Sequence, residues 1–212
     1  MEPPADMVTV VDYGAGNLRS VVNALEALGH PSRVTDDPAA LRDAPALILP
    51  GVGSFGEGMD RLRAHDLVAA LTEEVLGRKK PYLGICLGLQ FLATEGEEYG
   101  RHAGLGWIPG VTRRIEPGDP SVKVPHIGWN TVDTARPGTL LANLGEPPVF
   151  YFVHSYYFEP APDARDAVSG TCDHGVTMAA VVERDNVFGV QFHPEKSQRA
   201  GLRVLENFLR LV

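Results

Sequence analysis

Cys86 stands in Gly84-Ile85-Cys86-Leu87-Gly88-Leu89-Gln90, after the apolar run Pro81-Tyr82-Leu83 and before an apolar segment that can start a helix. A Gly-x-Cys-x-Gly sequence between strand and helix has the shape of a nucleophile elbow. The Cys sits on a tight, strained turn, and the flanking glycines let the backbone bend without Cβ clashes. Its sulfur then leaves the sheet at a helix N-terminus, where the dipole favours the thiolate. That help matters, because an unshifted Cys with a pKa of ~8.5 is only about 3% thiolate at pH 7.

A nucleophile needs a base, and a base needs an orienter. Phe188-Gly189-Val190-Gln191-Phe192-His193-Pro194-Glu195 offers both: an apolar strand ends in His-Pro-Glu. Residues i and i+2 of an extended segment face the same side, and Pro194 holds His193 extended. His193 and Glu195 are therefore expected to converge on one cleft. Cys86, His193 and Glu195 then form a Cys-His-carboxylate triad at the C-terminal ends of strands. A third segment, Pro50-Gly51-Val52-Gly53, can bring backbone N–H groups to a tetrahedral oxyanion, where losing one donor costs about 3–4 kcal/mol.

The elements that must position these groups alternate. Met7 to Tyr13 reads as a strand. Asn17 can cap a helix through about Leu28, with Leu18, Val21, Val22, Leu25 and Leu28 on one face and Gly29 as stop. Ser32 to Thr35 is a short strand, Asp37-Pro38 starts a short helix, and Ala46 to Leu49 is a buried strand. One helix is expected from about Phe55 to Leu76, then the strand and elbow at Cys86. This strand–helix order predicts a parallel, doubly wound sheet with its site at the strands' C-terminal ends. From about Trp107 short strands rich in Pro and Gly predict antiparallel additions. Leu202 to Leu211 closes the chain as a helix, with Leu202, Leu205, Phe208 and Leu209 inward.

Cys86 in Gly-Ile-Cys-Leu-Gly and His193-Pro194-Glu195 resemble the triad of class I glutamine amidotransferases. Val11-Asp12-Tyr13-Gly14-Ala15-Gly16-Asn17-Leu18, Pro50-Gly51-Val52-Gly53, Pro125-His126-Ile127-Gly128-Trp129-Asn130, Tyr151-Phe152-Val153-His154-Ser155-Tyr156 and His193-Pro194-Glu195-Lys196-Ser197 are similar to one branch. That branch is the glutaminase subunit of imidazole glycerol phosphate synthase, in histidine biosynthesis. The match runs in order from about residue 8 to the C-terminus, which leaves residues 1–6 as a disordered start and 7–212 as a single amidotransferase domain. The fold implied is an open mixed α/β sheet with helices on both faces.

The resemblance implies hydrolysis of L-glutamine through a Cys86 thioester, with no metal or cofactor. It assigns the oxyanion hole to the backbone of Val52, Gly53 and Leu87, with a peptide flip at Gly51–Val52. It assigns glutamine contacts to Gly51, Gln90, Ser155 and Tyr156. Gln90 lies four residues after Cys86, on the same helical face. One of Glu95, Glu97 and Glu98 could meet the substrate ammonium, and the sequence does not choose among them. The implied partner is a (β/α)8-barrel cyclase forming a heterodimer, met by Asn17, Trp129, Asn130 and Lys196. Trp129 and Asn130 are expected in a loop before a strand, where a Trp suits an interface better than a core.

Composition bounds the alternatives. The chain has 212 residues, enough for one large α/β domain, and 44% are hydrophobic. A net charge of −8, without a Lys/Arg run, argues against nucleic acid or an anionic membrane as partner. No stretch approaches ~20 apolar residues and no secretory leader is visible, so the cytoplasm is the default location. Cys86 and Cys172 are too few for a disulfide framework. Asp12-Tyr13-Gly14-Ala15-Gly16 lacks the third Gly of a dinucleotide turn, where Arg19 stands. Cys172-Asp173-His174 reads as a polar turn, and His30, His65 and His102 as surface residues. Three rivals stay open: a glutaminase feeding another acceptor, a stand-alone γ-glutamyl hydrolase, and a non-enzymatic binding module. The intact triad speaks against the last.

Overall fold

The structure is a computed structural model and describes residues 7–145 and 147–212. The start expected to be disordered, residues 1–6, lies outside the described residues. The strands are β1 (Val8–Val11), β2 (Ser32–Thr35), β3 (Leu47–Gly51), β4 (Tyr82–Cys86), β5 (Glu95–Gly96), β6 (His102–Ala103), β7 (Gly110–Arg114), β8 (His126–Thr131), β9 (Asp133–Thr134), β10 (Val149–His154), β11 (Tyr156–Pro160), β12 (Val168–Asp173), β13 (Thr177–Arg184) and β14 (Val187–Val190). The helices are α1 (Leu18–Ala27), α2 (Phe55–Ala64), α3 (Leu67–Thr72), α4 (Leu87–Gln90) and α5 (Gln198–Leu209).

Among the described residues the main sheet has eight strands in the order β2-β1-β3-β4-β14-β13-β12-β9. The first five run parallel, and β13, β12 and β9 add antiparallel. The two smaller sheets pair β10 with β8, and β11-β7-β5-β6. This is the open mixed α/β sheet that the alternation of elements predicts. Side chains of a strand alternate faces, and here they feed two cores. Val8, Val10, Ile48, Leu83 and Ile85 pack on one face with Val21 and Leu25 of α1 and Leu205 and Phe208 of α5. Val11, Leu47, Leu49 and Tyr82 pack on the other with Met59 and Leu62 of α2 and Leu67 and Leu71 of α3. No helix among the described residues is long and apolar enough to cross a membrane.

Four local expectations change. The helix expected from Phe55 to Leu76 breaks at Asp66, which is left-handed (φ 57), and finishes in a π turn over Glu73–Gly77. Asp tolerates that conformation because its short polar side chain costs little there. Asn17 precedes α1 but makes no capping bond, since its ψ of 61 leaves the extended geometry a cap needs. The last helix starts at Gln198 rather than Leu202, and Leu202 is only half-buried. Trp129 and Asn130 lie inside β8 rather than in a loop before a strand, because β8 pairs with β10 along its whole length.

Candidate active site

Strand register places the site. Gly51 at the end of β3 pairs with Cys86 at the end of β4, and Val190 at the end of β14 pairs with Ile85. The segments leaving β3 and β14 therefore flank Cys86 on either side. Cys86 itself takes the strained conformation (φ 54, ψ −105). Gly84 and Gly88 serve close packing rather than the bend. A Cβ on Gly88 would sit 1.9 Å from the Leu49 carbonyl oxygen, and one on Gly84 2.3 Å from that of Gly88. The elbow needs glycines because α4 lies almost on the sheet. As α4 is a single turn, its dipole gives the sulfur less help than the sequence suggests.

His193 reaches the sulfur from the other side. Its N–H donates to the Tyr151 carbonyl at 2.9 Å, and its carbonyl accepts from Ser197 Oγ at 2.7 Å. Its Nδ1 lies 2.8 Å from Glu195 Oε1, and the two side chains are 3% and 1% exposed. Glu195 gets there by a 3-10 turn over Pro194–Lys196 rather than by extended alternation. Gly201 of α5 supports that turn, since a Cβ there would fall 1.9 Å from the Pro194 carbonyl oxygen. His193 Nε2 is buried without a hydrogen-bond partner, and Cys86 is the acidic group beside it. Burial disfavours the imidazolium. The Cys86 thiolate and the Glu195 carboxylate outweigh burial and lift the ring to about 9. The arrangement sets a basic imidazole beside the sulfur, with a carboxylate behind it to hold the ring.

Val52, Gly53, Leu87, Gln90, Glu98, Val153, His154, Tyr156 and Lys196 complete a cleft of about 250 Å³ with Cys86 and His193. Gly53 is left-handed (φ 98), a conformation that suits glycine. Gly51 is buried beneath this wall, and a Cβ there would meet the Tyr13 hydroxyl at 2.5 Å and Leu87 Cβ at 2.8 Å. Ser155 does not line the cleft, and its carbonyl accepts from Ile115 N at 2.8 Å. Gln90 Nε2 donates to the Tyr156 carbonyl at 2.8 Å and to Gln191 Oε1 at 3.2 Å.

Of the three acidic candidates, only Glu98 lines the cleft, accepting from Phe55 N at 2.8 Å. Burial raises its carboxyl above the ordinary range, partly offset by that bond. Lys196 stands exposed at the mouth, its Nζ 6.0 Å from the Tyr151 ring centre. Trp129 is 51% exposed and meets Tyr151 edge-on at 5.8 Å. Asn130 is different: its amide points inward, toward His126 and the Asp173 carbonyl. Cys172 is buried, which holds its thiol up at about 12 and makes it inert.

Two residues escaped the reading of the sequence. Gln191 is fully buried and its Nε2 donates to Cys86 Sγ at 3.6 Å. It stands two residues before His193, and the period of an extended segment could have flagged it. His154 lines the cleft; it stands in the Tyr151–Tyr156 segment, of which only Ser155 and Tyr156 were expected to meet the substrate.

The class I glutamine amidotransferase family model matches residues 9–212. The imidazole glycerol phosphate synthase subunit HisH of Moorella thermoacetica is 50% identical, covering 97% of this chain and 95% of that protein. The subunit of the same name from Syntrophotalea carbinolica is 49% identical, covering 95% and 98%. A Thermotoga maritima PurLQS chain superposes with a TM-score of 0.73 at 23% identity, covering 99% of both chains, and so shares the fold.

Proposed function

Because this chain belongs to the class I glutamine amidotransferases, with relatives at about half identity that are HisH subunits of imidazole glycerol phosphate synthase, we infer that it is the glutaminase subunit of such a synthase, in histidine biosynthesis. It hydrolyses L-glutamine to glutamate and ammonia. The observation that carries the chemistry is His193, held between Cys86 and a buried Glu195 at the ends of neighbouring strands.

The Cys86 thiolate attacks the carboxamide carbon. The oxyanion that forms is met by backbone N–H groups of Val52, Gly53 and Leu87. Imidazolium His193 gives its proton to the leaving ammonia, and a γ-glutamyl thioester remains. His193, now neutral, takes a proton from water as it attacks the thioester, and glutamate leaves. Gln191 donates to the sulfur and so holds it in place. Glu98 is the carboxylate facing the substrate ammonium. Residues 7–212 act as one amidotransferase domain, in the cytoplasm.

Ammonia is mostly ammonium at neutral pH and would be lost to water, so the product must pass to a partner directly. We propose a (β/α)8-barrel cyclase subunit in that place, using the ammonia to make imidazole glycerol phosphate and aminoimidazole carboxamide ribotide. The outer face of β8 and β10 suits such a partner. Ile127 and Trp129 are exposed, and face Val153 and Tyr151 across the pair. Val153 and Lys196 carry this apolar face to the mouth of the cleft. A stable heterodimer would bury ~1,600 Å² or more there.

The experiment is glutamate release with and without the cyclase and its ribotide. Release rises by orders of magnitude in the loaded complex, and Cys86→Ala abolishes glutamine-dependent synthesis but spares synthesis from added ammonium salt. Loss of the ammonium reaction in a folded Cys86→Ala complex would refute this division of labour.

A further inference from the structure

Behind the cleft wall the rings of His126, His154 and His174 meet, and the hydrogen bonds of His126 and His154 fix which of their nitrogens carry protons. His154 Nδ1 lies 2.9 Å from the Tyr156 carbonyl, which can only accept, so Nδ1 carries the hydrogen. In the neutral ring Nε2 is then an acceptor, and it faces His126 Nδ1 at 3.1 Å. His126 must donate there, which leaves its own Nε2 to accept from Asn130 Nδ2 at 3.2 Å. The far end agrees. Asn130 Oδ1 accepts from Thr131 N at 2.8 Å and Nδ2 also donates to the Asp173 carbonyl at 2.8 Å, so the amide is oriented independently of His126. The His126 ring is clamped between Phe152 and His174, stacked at 4.7 and 4.1 Å.

We propose that Asn130, His126 and His154 form a tautomer-locked relay that positions the Tyr156 carbonyl, and through it Gln90, at the substrate end of the cleft. His126 and Asn130 are then positioning residues for glutamine hydrolysis, although neither lines the cleft. The relay rests on the glutaminase reading and extends it. The Tyr156 carbonyl accepts from both His154 Nδ1 and Gln90 Nε2; Gln90 also donates to Gln191 Oε1, and Gln191 Nε2 donates to the sulfur. A connected set of hydrogen bonds thus runs from β8 to Cys86, with donors from both sides converging on the Tyr156 carbonyl. The same strand presents Ile127 and Trp129 outward, so its inner and outer faces serve the substrate and the partner surface. Charging either ring would set N–H against N–H. Burial and His174 hold His126 at about 4. Burial, with the neighbouring histidines, holds His154 at about 3 against the pull of the Tyr156 carbonyl.

Nitrogen-15 NMR of the full chain labelled in histidine reads the tautomers directly. His126 and His154 should both be neutral and protonated at Nδ1 at neutral pH, the form a free imidazole disfavours. An Nε2–H tautomer or an imidazolium at either ring overturns the relay. Kinetics of the complex supply the functional arm. His126→Phe keeps the aromatic clamp but removes both hydrogen bonds, and the KM for glutamine should rise roughly five- to tenfold. His126→Asn puts an amide nitrogen near the place of Nδ1 and should restore most of that loss. Synthesis from ammonium salt should stay unchanged in both. An unchanged KM in folded His126→Phe, or an equal loss with ammonium, defeats the proposal. A wild-type complex that releases no glutamate would instead defeat the glutaminase reading itself.

Discussion

Glu195→Gln keeps the shape of the triad and removes one charge. Glu195 Oε1 lies 2.8 Å from His193 Nδ1, and neither side chain reaches solvent, so the pair is weakly screened. Burial alone would push His193 down, yet Cys86 and Glu195 together lift it from 6.5 to about 9. That lift is worth about 3 kcal/mol, at ~1.4 kcal/mol per tenfold. Cys86 is the stronger of the two sources. Glu195 is the weaker source, and losing about 1 kcal/mol with it would by itself mean a loss of roughly fivefold. A Gln can also turn its NH2 toward Nδ1. The ring proton then moves to Nε2, where it blocks acceptance of the thiol proton, and the total loss becomes roughly 10²–10⁴. His193→Ala removes base and acid together and costs more, roughly 10⁵–10⁶.

The assay is the initial rate of glutamate release by the loaded complex from about pH 6.5 to 10. The imidazolium holds the thiolate and protonates ammonia, so the wild-type rate is present below about 9 and falls above it. Losing Glu195 lowers the ring's pKa, so this alkaline limb should move to lower pH in Glu195→Gln. Unchanged turnover with an unmoved limb would remove Glu195 from the triad. A loss equal to that of His193→Ala, with the limb still near 9, would refute the orienting role.

Trp129→Ala and Lys196→Ala should leave the single chain folded but weaken the partner complex, by about 2 kcal/mol or roughly thirtyfold for Trp129; unchanged titrations and a glutamate-to-product ratio of one would move the interface elsewhere. Gly88→Ala forces a Cβ to within 1.9 Å of the Leu49 carbonyl oxygen and should cost several kcal/mol of stability, read as a lower denaturant midpoint; a wild-type midpoint would show that α4 can lift off the sheet. The isolated chain should be a poor glutaminase, and high activity in the purified subunit would favour a stand-alone hydrolase. His126 and His154 have folded pKa values of about 4 and 3, below the ordinary 6.5. The unfolded chain therefore binds protons first as pH falls, and the stability these rings contribute is full above 6.5 and lost toward 4 and 3. Thermal melts should show this acid slope flattened in His126→Phe; an identical slope would mean that His126 takes up its proton equally in the folded and unfolded chain.

The alternation of strands and helices in the first half, the elbow at Cys86 and the His-Pro-Glu end were legible in the sequence, although the helix after Phe55 breaks at Asp66. These are local: the period of apolar residues and the Gly-x-Cys-x-Gly and His-Pro-Glu sequences lie within a few residues of the group they position, whereas the contact that makes Gly88 necessary, with Leu49, comes from another strand. The strand feeding Cys86 and the one feeding His193 could be read separately. Their adjacency could not, because β4 and β14 are about a hundred residues apart in the chain and meet only through sheet register. The same holds for Glu98, which lines the cleft where Glu95 and Glu97 do not and accepts from Phe55 N in another element. Asn130 shows the limit most sharply. In the sequence it stands beside Trp129 as a surface residue. In the fold the two are neighbours on a strand and so point to opposite faces, Trp129 outward and Asn130 in toward two buried rings. Which ring nitrogens carry protons was decided there too, since a tautomer is set by the partners on both sides of a ring and those partners come from β8, β10 and the start of β11.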